Sequence, residues 1–110
     1  METRSTGTYD IANRETVASG SDMRVQILTL ADGQSVPWHH HSEITDSFVG
    51  LDGVIVIETR APDDTISIGP GQRHSVAPGI THTVHGADGG SCRFLVVQGV
   101  GVYDFIPDSV

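Results

Sequence analysis

The chain has 110 residues, room for one domain around one modest core. Its formal charge is −8 and its pI about 4.9, which argues against nucleic acid and anionic membrane surfaces as partners, because both attract a basic face. All 6 basic residues are arginine, so Schiff-base chemistry through lysine is excluded.

Cys92 is the only cysteine, so no intrachain disulfide forms, which fits a reducing compartment. The opening segment METRSTGTYDIANRE has no apolar leader core, and no apolar run approaches the ~20 residues of a membrane span. The expectation is a soluble, cytoplasmic protein. Aromatics make up 5% of the sequence, so aliphatic side chains must fill most of the core. The 13 glycines and 5 prolines predict tight turns between short strands.

Residues 1–22 are polar and read as an N-terminal arm that can serve as a dimer contact, with a weakly signalled helix near Ile11–Val17. Residues 23–110 read as one barrel domain. Arg24–Leu30 alternates as a strand and ends at the Asp32-Gly33 turn. Ser35–His41 and Ser47–Leu51 follow, and Asp52-Gly53 leads into Val54–Arg60, whose β-branched run suits a strand buried on both faces. After the loop Ala61–Asp64 come Thr65–Ile68, His74–Ala77, Thr81–His85 and Cys92–Gln98, with Val100–Ile106 a candidate last strand. Some nine short strands at this spacing predict an all-β sandwich or barrel.

Pro37-Trp38-His39-His40-His41 is the chemically distinctive stretch. Strand parity puts His39 and His41 on one face, ~7 Å apart, and Trp38 and His40 on the other. Two imidazoles on one face can converge on one ion. Asp46 opens the next strand on a face shared with Phe48 and Gly50, while the competing carboxylate, Glu43, falls in the intervening loop.

The spacings carry a resemblance. From Gly33, five residues lead to His39, one to His41, four to Asp46 and six to Gly53. From Gly71, five lead to Ala77, then come Gly79 and His82. These two frames are similar to the two motifs of the cupin superfamily, with Asp46 in place of the usual glutamate, Ala77 in place of proline and Gly86 in place of asparagine. The chain resembles a small single-domain cupin.

The resemblance implies a double-stranded β-helix, or jelly-roll barrel. It implies one divalent metal ion, Fe, Mn, Ni, Zn or Cu, held by His39, His41, Asp46 and His82 inside the barrel mouth. It also implies a homodimer. Aspartate is one methylene shorter than glutamate, which leaves three arrangements open: an inward shift of the strand, contact through water, or a site of three histidines.

Around this site, Gly50 either leaves room for a ligand or marks a close strand contact. His74 shares parity with Val76 and is a candidate to orient a ligand or move a proton. His85 and Trp38 should face away, Cys92 reads as a buried structural thiol, and Arg60 or Arg73 is a candidate to recruit a carboxylate. Three functions fit: a metal-dependent dioxygenase or isomerase acting on a small molecule, a noncatalytic module binding a small ligand, and a structural metal site.

Overall fold

The computed structural model describes residues 9–109. Their ten strands are β1 (Asn13–Ser19), β2 (Met23–Leu30), β3 (Ser35–His40), β4 (Thr45–Asp52), β5 (Ile55–Thr59), β6 (Asp64–Ile68), β7 (Arg73–Val76), β8 (His82–Gly86), β9 (Cys92–Gly99) and β10 (Ile106–Pro107). They form two antiparallel five-stranded sheets, ordered β1-β2-β9-β4-β7 and β10-β3-β8-β5-β6. The core lies between them and consists mostly of aliphatic residues with Phe48, Phe94 and Phe105.

Alternation builds this core. Gln26, Leu28 and Leu30 point inward from β2, and Cys92, Phe94, Val96 and Gln98 from β9. β5 follows the same rule, contrary to the expectation of burial on both faces. Ile55 and Ile57 are fully buried, Val56 and Glu58 are half-buried, and Val54 is 42% exposed before the strand begins. The outer face of this sheet has no covering layer, so a β-branched residue there gains strand propensity without burial.

Two further expectations are corrected. The segment expected as a short helix near Ile11–Val17 is instead the edge strand β1, paired with β2 from Asn13↔Thr29 to Ser19↔Arg24 with a bulge between Thr16 and Ala18. Its β-branched residues Thr16 and Val17 satisfy a ladder better than an isolated helical turn. The candidate strand Val100–Ile106 reduces to Ile106–Pro107, which pairs with His40 and His39. Residues 100–105 form no regular element, and Tyr103 and Phe105 from this stretch meet the histidines.

The glycines of both sequence frames have a common conformational cause. Gly33, Gly53, Gly71 and Gly79 all have positive φ, between 69° and 81°, at the turns that bracket the site-bearing strands. Gly86 is required on steric grounds: a Cβ there would lie 1.9 Å from the Gly90 carbonyl oxygen.

Candidate metal centre

His39 comes from the end of β3 and His41 from the residue just after it, Asp46 from β4 and His82 from the start of β8. A bulge aims β3. Val36 pairs with Val84, but His39 pairs with His82, so β3 holds one more residue than β8 between these points. Pro37 lies in that extra stretch and has no N–H to lose from the ladder. The bulge shifts the inward row from Val36 to His39.

His39, His41, Asp46 and His82 are each no more than 3% exposed, and one ligand atom of each lies within 4.8 Å of all the others. Asp46 Oδ2 is 2.8 Å from His82 Nε2, 2.9 Å from His41 Nε2 and 3.9 Å from His39 Nε2. The shorter aspartate therefore reaches the histidines directly. Glu43 lies outside the cluster and accepts a hydrogen bond from the Val102 N–H.

Each imidazole is held at its other nitrogen. His39 Nδ1–H donates to the Pro37 carbonyl at 2.6 Å, His82 Nδ1–H to the Ile80 carbonyl at 2.8 Å, and His41 Nδ1–H to the Asp104 carbonyl. This fixes the tautomer that leaves Nε2 as a lone pair. Three lone pairs and a carboxylate oxygen thus converge in a buried space. Acceptors facing acceptors are reconciled by a cation, and this donor set suits a divalent transition metal. The cluster is suited to a metal ion.

In the ion-free cluster the imidazoles and the carboxylate act strongly on one another. Burial holds the His39 pKa below its ordinary value. Burial opposes charge on His41 as well, but its contacts with Asp46 and Asp104 prevail and raise its pKa. Burial also opposes charge on Asp46, yet the three imidazoles hold its carboxyl well below the usual range. Gln98 supports Asp46 from the facing strand, its Nε2 donating to Oδ1 at 2.9 Å. The segment after β9 packs on the histidines. Phe105 stacks on His39 at 4.3 Å, Tyr103 lies 5.4 Å from His41, and Ser42 fastens the Asp104 carboxylate.

The other residues singled out in sequence fall as follows. His40 faces outward onto Asp108 at 2.8 Å, and Trp38 carries Arg60 on its ring at 3.8 Å. His85 pairs with Glu58 at 2.6 Å. Cys92 is buried, which pushes its thiol up to about 11. His74 sits on the outermost strand β7 opposite Phe48 and does not line the central cavity, so it makes no contact with the cluster. Gly50 marks a close strand contact, since a Cβ there would lie 2.3 Å from the Gly69 carbonyl oxygen. Arg60 and Arg73 lie outside the cavity as well; the arginines that line it are Arg14 and Arg24. Arg24 was legible from β2 parity, but Arg14 was obscured by the helical reading of its segment.

No family model matches the chain, and no curated protein does. Solved structures do. A Klebsiella pneumoniae protein with a double-stranded β-helix domain has 18% identity and a TM-score of 0.74, over 88% of this chain and 84% of that one. A cupin-2 domain protein from Shewanella frigidimarina has 16% identity and a TM-score of 0.66, over 82% of each.

The chain has the cupin fold.

KdgF from Halomonas, with 12% identity and a TM-score of 0.70 over 89% of this chain and 90% of that one, shares this fold. The chain thus combines this fold with a buried His₃Asp cluster between its sheets. No helix among the described residues is long and apolar enough to cross a membrane.

Proposed function

We propose that this cupin binds one divalent metal ion through His39, His41, Asp46 and His82, and uses it to hold and activate a small molecule in the barrel mouth. The observation that carries this reading is the commitment of all three Nδ1–H groups to backbone carbonyls, which leaves three Nε2 lone pairs facing one carboxylate oxygen. Fe, Mn, Ni, Cu and Zn all accept such a set. Four protein ligands on a six-coordinate ion leave positions for an exogenous ligand, where the ion supplies Lewis acidity or, for a redox metal, electron transfer.

The chain's own groups have distinct tasks. The Pro37, Ile80 and Asp104 carbonyls keep the imidazoles oriented, with each Nε2 turned toward Asp46. Gln98 holds Oδ1 of Asp46 so that Oδ2 faces the histidines. Phe48 and Phe105 pack against the rings and exclude bulk water. These features support dioxygenase- or isomerase-type chemistry on a small molecule.

The test is turnover or ligand binding with the protein loaded in turn with each metal, anaerobically for Fe(II). Metal-dependent oxygen uptake or substrate conversion supports the enzyme. A loaded protein that neither turns over nor binds small ligands contradicts the reading. A structural ion is the second reading. It is favoured by the tightness of the central cavity, about 20 Å³, which is little more than one water site. It predicts that chelation lowers Tm while no small molecule competes with it.

The homodimer belongs to the proposal too. Among the described residues β1 has one unpaired edge, and Val17, Val100 and Val102 are exposed. Light scattering at twice the 11.7 kDa chain mass supports a dimer, and the monomer mass contradicts it.

A further inference from the structure

The sheet that carries Asp46 presents a polar row at the mouth of the barrel. Arg24 on β2 pairs across to Gln98 on β9, and Gln98 pairs across to Asp46 on β4. The side chains follow the ladder: Arg24 Nε–H donates to Gln98 Oε1 at 2.6 Å, and Gln98 donates onward to Asp46. Below this row the interior turns apolar through Leu28, Phe94, Leu30 and Cys92. One arginine is thus wired to the carboxylate of the metal centre from the open end.

A second arginine joins it. Arg14 on β1 donates from Nη1 to Gln26 Oε1 at 3.0 Å and from Nη2 to the Tyr9 hydroxyl at 2.8 Å. Arg14 and Arg24 line the same cavity as His39 and His41. Both are half-buried, and neither forms an ion pair with a carboxylate among the described residues.

This placement is costly unless it serves a ligand. A partly desolvated guanidinium ordinarily sits against a carboxylate. Arg24 instead lies 3.5 Å from the Tyr103 ring centroid, and its one hydrogen bond to a side chain among the described residues uses Nε, which leaves its Nη donors open toward the cavity as far as those residues go. The acid at the end of this row, Asp46, is already engaged by three imidazoles. A divalent ion there would outweigh its charge and leave the cavity strongly positive inside a chain of net charge −8. The remaining described arginines do not share the role: Arg60 covers Trp38, and Arg73 and Arg93 are exposed.

We propose that the ligand of this centre is a small carboxylate, with one end at the ion and its carboxylate on the Nη groups of Arg24, and with Arg14 reinforcing the positive field. The proposal rests on the metal-binding reading above and names its ligand class. The ligand takes its room at the open mouth beside Arg24 and Arg14, because the central cavity itself, about 20 Å³, holds little more than one water; this confines the ligand to few heavy atoms.

Nickel-loaded protein, its metal content measured by elemental analysis, is titrated with pyruvate, lactate and neutral lactamide by calorimetry. The expected result is binding of both acids, with lactamide at least about tenfold weaker. The ion itself favours a carboxylate, so the decisive arm is Arg24→Gln, expected to weaken both acids by about tenfold or more with nickel content unchanged. Arg14→Gln is expected to weaken them less. Arg24→Lys, which keeps the charge and the fold-supporting stem, is expected to recover part of the loss and guards against a misfolded Arg24→Gln. Wild-type acid affinity in a folded Arg24→Gln protein overturns the proposal, as does equal affinity for lactate and lactamide. Elemental analysis separates the two levels. Protein that takes up no nickel overturns the metal reading on which both rest, whereas fully loaded protein indifferent to the acids overturns this proposal alone.

Discussion

Gln98 and Asp46 sit directly across the β9–β4 ladder, and the Gln98 side-chain amide donates to Asp46 Oδ1 at 2.9 Å. The pair explains how an aspartate serves where the related pattern has a glutamate. One carboxylate oxygen is fixed by the sheet, and the other is delivered among the histidines at 2.8 and 2.9 Å.

Removing that support should be felt at the ion. Gln98→Ala is expected to weaken metal binding by about ten- to a hundredfold, the usual cost of losing a group that orients a ligand. Competition with a chelator of known affinity measures it. An affinity equal to wild type would show that Asp46 holds its position unaided.

Lengthening the carboxylate should not help. Asp46 already reaches two Nε2 atoms, so Asp46→Glu adds a methylene to a filled, buried site. The expected result is no gain in metal affinity and a stability loss of about 1–3 kcal/mol from overpacking, read by urea denaturation. A tighter and equally stable variant would contradict this geometry.

Gly50 gives a purely steric prediction. The Cβ of Gly50→Ala would meet the Gly69 backbone carbonyl, where Gly50 also exchanges hydrogen bonds with Gln72 and Gly71. Backbone yields little, so the expected loss is about 2–3 kcal/mol. A neutral substitution would mean that the β4 contact with this turn is looser than described.

The His85–Glu58 pair predicts a small pH effect with a definite sign. Burial opposes the charged imidazole, but the Glu58 hydrogen bond prevails and raises the pKa of His85. A raised folded-state pKa gives stability that is fully present below the unfolded value, ~6.5, and is lost as pH rises through the folded value. The pair is partly exposed, so solvent limits its contribution to about 0.5 kcal/mol. Glu58→Gln should therefore cost stability at pH 5.5 and almost none at pH 9. The opposite ordering in denaturant midpoints would contradict the assignment.

Much of this was legible in the sequence because period-2 alternation and glycine spacing are local signals. The succession of the middle strands and the shared face of His39 and His41 follow from them, while the convergence of Asp46 and His82 was implied by the resemblance of the two glycine-framed motifs to those of cupins. What escaped depends on contacts distant in sequence. β1 was misread because an edge strand has no apolar face of its own to announce it. The bulge at Pro37 shows only when β3 is laid against β8. Tyr103, Asp104 and Phe105 attend the histidines from 60 residues away, through a segment with no periodicity to mark it. Whether Gly50 opened a pocket or closed a contact rested on the position of Gly69.

The central claim is that His39, His41, Asp46 and His82 hold one divalent ion. The most direct measurement is anomalous scattering from crystals of protein purified without added metal, paired with elemental analysis of the same sample. The account predicts one ion per chain, bonded to three Nε2 atoms at about 2.0–2.2 Å and to an Asp46 oxygen at a similar distance. An ion bound elsewhere, or protein that stays metal-free after exposure to Fe, Mn, Ni, Cu and Zn, would contradict it.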